Sequence, residues 1–133
     1  MSLTFSKDER LCSRKLIDRL YAEGHRLMAF PYSVQWRVET DSLAVPCQVL
    51  IVAPKRKFHH AVDRNRVRRL TRECYRRQKP PLVDFLAAHG LSLTLSVSYV
   101  HTAILSYEVL YGKMEKLLAV LMADIQKTLP SNT

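Results

Sequence analysis

The sequence predicts an α+β fold: one two-layer domain in the order α-β-β-β-α-β-α, with a small central sheet, helices packed on one face and an open cleft. Three observations carry this prediction. Apolar and polar residues alternate with period two at Tyr32, Val34, Trp36 and Val38, and again at Leu91, Leu93, Leu95, Val97 and Tyr99. Helical spacing appears instead at Val67, Leu70, Thr71 and Cys74 and through the last part of the chain. Finally, 133 residues with 47% hydrophobic and 25% charged content make one domain able to bury a core, and no repeat, low-complexity tract or linker divides it. Residues 1–133 are therefore read as a single domain with an ordered core of about 5–129.

In chain order, residues 7–11 are mostly polar, with basic and acidic residues in balance. Ser13 can cap a first helix whose apolar positions Leu16, Ile17, Leu20 and Tyr21 share one face, ending at Gly24. A His-Arg-Leu-Met-Ala-Phe-Pro connection leads to the strand at Tyr32, and Thr40-Asp41-Ser42 supply turn chemistry after it. The run Val49-Leu50-Ile51-Val52 suits a central strand, ended by Pro54. Pattern thus places two of the three strands that precede the next helix. That helix starts near Val62 or Asp63, with Asp63 as the expected cap, and Pro80-Pro81 stop it. A short helical piece at 82–88 closes at Gly90; no role follows for 79–90. The strand from Leu91 comes next. Ser106 then caps a long last helix with an apolar stripe of Val109, Leu110, Met114, Leu117, Leu118, Leu121, Met122 and Ile125, running to about Leu129 before Pro130.

The charge is not spread evenly. Residues 55–79 hold eleven Lys and Arg against Asp63 and Glu73, an excess of nine that equals the formal net charge of +9; the remaining ten basic and ten acidic residues balance. Clustered like charges destabilise a helix, so a patch of this density points to a polyanion, nucleic acid or an anionic surface, rather than to solubility alone. On the helix, Arg64, Arg68, Arg72 and Arg76 step down the side opposite the apolar stripe, with Asn65 and Arg69 beside them. Glu73 lies four residues from Arg69 and Arg77 and is expected to leave the row unpaired.

Chemistry for independent catalysis is sparse. Cys12, Cys47 and Cys74 are odd in number and lack a Cys-x-x-Cys pair, which points away from disulfides or a zinc ribbon and toward a reducing compartment. Only three glycines occur, without a phosphate loop or a hydrolase motif. The adjacent His59 and His60 are the best metal candidates, but no Cys or carboxylate stands near them at ligand spacing. No metal site or catalytic residue is assigned. No apolar run suits a signal peptide or a membrane span, so a cytoplasmic protein is expected. Arginines at helical-turn spacing suit bidentate phosphate contacts, and Tyr21, Tyr32 or Trp36 could stack on unpaired bases.

These residues carry a family resemblance. The run Ala-Val-Asp-Arg-Asn-Arg-Val-Arg-Arg-Leu-Thr-Arg-Glu at 61–73 closely resembles the Ala-Val-x-Arg-Asn-Arg-x-Lys-Arg-x-x-Arg-Glu signature of the bacterial ribonuclease P protein subunit. Its flank Val52-Ala53-Pro54-Lys55-Arg56 looks like the strand and basic loop before that signature. Phe5, Lys7, Arg10-Leu11, Leu20-Tyr21 and Gly24 follow the family's opening pattern, so the resemblance covers roughly 5–127.

The resemblance implies an RNA-based endonuclease that removes the 5′ leader of precursor tRNA. Its catalytic groups and magnesium ions belong to the large RNA subunit. The protein binds that catalytic RNA through the signature helix and holds the leader in a cleft between the first helix and the sheet. A left-handed βαβ crossover through the basic helix is also implied. Carried over by position, Arg64, Asn65, Arg66, Arg68, Arg69 and Arg72 match the RNA-contacting signature, with Arg68 where Lys is common. Lys55 and Arg56 match the basic loop, and Lys57 and Arg76 extend the RNA-binding set. For the leader cleft, Tyr21 keeps an aromatic position and Ile17 stands where an aromatic is frequent. Either Tyr32 or Trp36 supplies the strand aromatic, because a one-residue slip of register exchanges the faces. Expected partners are the catalytic RNA and precursor tRNA, with no membrane and no obligate protein partner. The competing readings are a general RNA-binding or ribosome-associated module, and a metal-dependent nuclease using His59 and His60.

Overall fold

The computed structural model describes residues 5–39 and 43–129. The turn expected at Thr40-Asp41-Ser42 and the stop expected at Pro130 lie outside the described residues. Among the described residues, four α-helices, α1 (Arg14–Glu23), α2 (Ala61–Gln78), α3 (Pro80–Ala88) and α4 (Tyr107–Thr128), accompany four strands, β1 (His25–Ala29), β2 (Tyr32–Glu39), β3 (Cys47–Val52) and β4 (Ser92–Tyr99). The sheet order is β1-β2-β4-β3, antiparallel except for the β3–β4 pair, which is joined in parallel through α2 and α3. The α+β class holds.

The predicted connection after Gly24 is in fact β1, which pairs with β2 through a two-residue turn at Phe30-Pro31, a cis peptide. As an edge strand with an exposed side, it lacks the clean apolar alternation that marks a strand in sequence. Gly24 follows α1 with φ of −71°, so it is not there for a left-handed turn. A Cβ at that position would lie 2.3 Å from the Leu20 carbonyl and 3.2 Å from that of Trp36. Close approach of helix end and strand selects glycine here.

Ser13 accepts a bond from the Leu16 N–H and Ser106 one from the Val109 N–H, as expected of N-caps. Asp63 does not cap α2: His60 is the N-cap, and Asp63 lies in the first turn, where its charge still complements the helix N-terminus. Pro80 and Pro81 do more than stop α2, because they occupy the first positions of α3, where a missing N–H costs nothing. Gly90 closes α3 with φ of +64°, and the Leu91 N–H reaches the Leu86 carbonyl at 2.9 Å. Through Leu82 and Leu86, α3 adds to the core, which gives 79–90 a structural role.

Strand alternation divides the side chains between two sheet faces. Tyr32, Val34 and Trp36 of β2, Leu93, Leu95, Val97 and Tyr99 of β4, and Cys47 and Val49 of β3 pack against Val67, Thr71, Cys74 and Tyr75 of α2. Leu110, Met114, Leu117, Leu118, Leu121 and Ile125 of α4 complete this core, whereas Val109, predicted in the stripe, is exposed. Burial of this apolar surface, at about 25 cal/mol per Å², is the main source of stability.

The helices do not all share one face as predicted: α1 lies on the other face, over β2 and β4, where its amphipathic side covers the polar residues of the sheet. There Arg37 reaches Glu39 at 2.6 Å and Glu23 at 3.4 Å, and Thr94 Oγ1 donates to Glu39 at 2.9 Å. The buried Glu39 carboxylate is thus paired and hydrogen-bonded, the condition for keeping a charge out of water. This network fixes one end of α1 and leaves the sheet open toward β3.

Candidate nucleic-acid interface

Helical phase decides what each arginine of α2 can do. Residues four apart drift by about 40° around a helix, so a row at that spacing winds across its surface rather than running straight down it. The row Arg64, Arg68, Arg72, Arg76 therefore begins beside the core and reaches the outer side only near its end. Arg64 is half-buried, and its Nη1 donates to the carbonyls of Phe58 at 2.8 Å and His59 at 2.9 Å. Phe58 is itself buried against Tyr99. Arg64 thus anchors the loop carrying Lys55, Arg56 and Lys57, a position the predicted row does not convey.

The expectation that Glu73 leaves the row unpaired is also corrected. Glu73 accepts from Arg76 Nε and Arg77 Nε, both at 3.0 Å, and the two guanidinium groups hold its carboxyl down to about 2. Arg76 is therefore engaged. Lys79 forms an ion pair with Glu9 of the N-terminal 3₁₀ turn (Lys7–Glu9), with both side chains mostly withdrawn from water. Burial opposes ionisation of Glu9, but Lys79 and the Ser6 N–H hold its pKa below the ordinary value. Asn65 is exposed and accepts from Arg68 Nη2, which orients that guanidinium along the helix.

The outermost cations are Arg66, Arg69 and Arg72, all exposed and without an ion pair or hydrogen bond among the described residues. Lys55, Arg56 and Lys57 stand in the turn at the N-terminal end of the same helix, where the Lys57 N–H meets the Pro54 carbonyl at 3.1 Å. The arrangement is a convex basic surface with apolar support behind it.

The second predicted element is the cleft on the α1 face. Tyr21 is 44% exposed, and its hydroxyl pairs with Ser96 Oγ at 2.9 Å. Ile17 is half-buried one turn earlier on the same side of α1. Beneath them the sheet presents Ser96 and Ser98 of β4 and Gln48, Leu50 and Val52 of β3, which the strand register places on this face.

Tyr32 and Trp36 do not belong to this cleft. Both are buried on the opposite face, 0% and 1% exposed. The Tyr32 hydroxyl pairs with Thr71 Oγ1 at 2.9 Å, and burial raises its pKa well above the usual range. Trp36 Nε1 donates to Asp124 at 3.1 Å, and its ring stacks on His25 with centroids 4.3 Å apart. An even-numbered apolar set on β2 turns inward, so its cleft-side residues are Ser33, Gln35 and Arg37. The polar residues of β4 were readable in sequence, but their place in a cleft required the register.

Other chemistry is limited. Cys47 and Cys74 are core thiols that burial pushes up to about 12 and about 11. His59 and His60 are exposed, and no group of three or more His, Cys, Asp or Glu among the described residues could hold a metal ion. No helix among the described residues is long and apolar enough to cross a membrane.

Comparison with known proteins agrees with this fold. A family model described as Ribonuclease P matches residues 5–121. The ribonuclease P protein component of Porphyromonas gingivalis is 30% identical over 127 residues, covering 96% of this chain and 93% of that protein. The corresponding protein of Chlorobaculum tepidum is 37% identical over 78 residues, 56% of this chain and 50% of its own length. Among solved structures, the RNase P protein of Staphylococcus aureus superposes with a TM-score of 0.65 at 18% identity, covering 86% of this chain and 96% of its own. That of Thermotoga maritima gives 0.63 at 21% identity, covering 83% and 94%. The signature helix, the fold and a family match over most of the length lead to one conclusion: this chain belongs to the ribonuclease P protein family.

Proposed function

We propose that this chain is the protein subunit of ribonuclease P, which assists removal of the 5′ leader from precursor tRNA by binding both the catalytic RNA and the leader. The observation that carries the reading is the outer face of α2, where Arg66, Arg69 and Arg72 are exposed and unpaired among the described residues. Guanidinium groups free of internal partners are available to phosphates, and each contact releases condensed counterions. With Arg68, Asn65 and the Lys55–Arg56–Lys57 turn, they form a surface for the catalytic RNA. Arg64 serves this surface by holding the turn. The single-stranded leader occupies the α1 cleft, with a base against Tyr21 and its backbone over the serines of β4.

The family is the protein component of an endoribonuclease. In this reading the bond-breaking groups, and the magnesium that serves them, belong to the RNA. The protein lowers the repulsion between two polyanions and positions the leader. The test is cleavage of precursor tRNA by a compatible bacterial ribonuclease P RNA at low magnesium, with and without this protein. Restored 5′ maturation is expected. RNA binding without stimulation would overturn the proposal and leave a general RNA-binding module; cleavage without any RNA subunit, lost in His59→Ala and His60→Ala, would overturn it in favour of a nuclease.

A further inference from the structure

A groove of about 240 Å³ lies at the outer edge of β3 and is lined by Arg10, Arg68 and Arg72. It adjoins the α2 surface through Arg68 and Arg72 and extends it onto the sheet edge. Val49 and Ile51, on its floor, belong to the α2 face of the sheet, whereas Leu50, also on the floor, belongs to the α1 face with Ser96. Residues of both faces therefore line the groove, which runs along the strand edge. The N-terminal segment forms its other wall: the Leu11 N–H donates to the Val49 carbonyl at 2.9 Å, which holds Arg10 alongside β3.

All three charged residues that line the groove are arginines, and no carboxylate among the described residues lines it. The acid nearest in sequence to Arg10, Glu9, is taken by Lys79. Arg10 lies over the Phe5 ring at 5.9 Å, Arg68 is oriented by Asn65, and Arg72 has no partner among the described residues. Three guanidinium groups over an apolar floor match a phosphodiester and its sugar.

We infer that Arg10, Arg68 and Arg72 form a phosphate clamp for an unpaired RNA strand crossing the edge of β3 between the α1 cleft and the α2 face. The inference rests on the RNA-binding reading above and adds Arg10, outside the signature helix, as a binding residue. The phosphate comes either from the leader or from the catalytic RNA.

The test uses the reconstituted holoenzyme carrying Arg10→Ala, Arg10→Lys or, as a control outside the groove, Arg69→Ala. Affinity is measured over a salt series for the catalytic RNA alone and for precursors with and without a leader. Arg10→Ala is expected to weaken binding about tenfold, the worth of one charge-assisted contact, and to reduce the salt slope by about 0.7 to 0.9. Arg10→Lys should recover part of the loss, since charge returns without the planar fork. A loss confined to leader-bearing precursors assigns the phosphate to the leader, and a loss with catalytic RNA alone assigns it to that RNA. Unchanged affinity in every arm, with Arg69→Ala impaired, overturns the clamp while the proposed function stands. If Arg69→Ala also binds normally, the RNA-binding role of α2 fails with it. Matching urea midpoints for Arg10→Ala and the parent exclude a folding defect.

Discussion

Two arginines of the signature helix should fail in different ways when removed. Arg72 is exposed and makes no hydrogen bond or ion pair among the described residues. Arg72→Ala should change folding stability by less than about 0.5 kcal/mol. It should also weaken RNA binding about tenfold and reduce the slope of log K against log salt by about 0.7 to 0.9, the share of one phosphate. Arg64 instead spends one nitrogen on the Phe58 and His59 carbonyls, at 2.8 and 2.9 Å. Bonds to a charged donor contribute about 1.5 to 3 kcal/mol each, and one shared nitrogen in a half-buried site falls at the low end. Arg64→Ala should therefore cost about 1.5 kcal/mol, a fall in Tm of about 5 °C for a domain of this size. Amide exchange at residues 55–60 should rise as the loop loosens. Urea melts, amide exchange and filter binding over a salt series measure all of this. A stability loss above about 1 kcal/mol in Arg72→Ala, or none in Arg64→Ala, would show that the two roles are wrongly assigned.

Other outcomes follow from single contacts. Glu73, held down to about 2 by Arg76 and Arg77, should contribute stability that is complete above the ordinary carboxylate pKa of 4.5 and is lost as pH falls toward 2. Because the pair is partly exposed, the effect should stay below about 1 kcal/mol, and Glu73→Gln should remove it from a stability-versus-pH series. Gly90→Ala should cost about 1 to 2 kcal/mol in urea unfolding, since φ of +64° is strained for any side chain although space is open around it. Leu121→Ala, at a fully buried position facing the sheet, should cost about 2 to 5 kcal/mol by the same measurement.

The residues that misled pattern reading share a physical cause: each was placed by its own element without a neighbour. Tyr32 and Trp36 alternate correctly with Ser33 and Gln35, but period two divides a strand into two sets without saying which set turns toward α1. Pairing of β2 with β4 and the packing of α2 and α4 decide it. Arg64 belongs to an i, i+4 row that looks continuous on paper, yet the row's drift carries it to the core edge, within reach of carbonyls in the preceding loop. Strand β1 was hidden because it is a short edge strand whose inward side carries only Leu27 and Ala29 beside His25, too few apolar residues to mark an alternation. The core side of α2 was legible at Val67, Thr71 and Cys74, although Tyr75 joined it only through tertiary packing.

By itself the sequence determined the concentration of charge in 55–79, the two-faced character of the helix that bears it, the α+β class, and the signature that points to one family. Those properties are local, fixed by residue type and by the periods of helix and strand. Tertiary structure decided that Lys79 is engaged, because Glu9 reaches it from the far N-terminal turn only in the folded chain, whereas Glu73 and Arg76 meet within one helix. It also decided where the cleft lies and brought Arg10 beside Arg68 and Arg72, since a strand edge can join residues far apart in sequence that no periodicity relates.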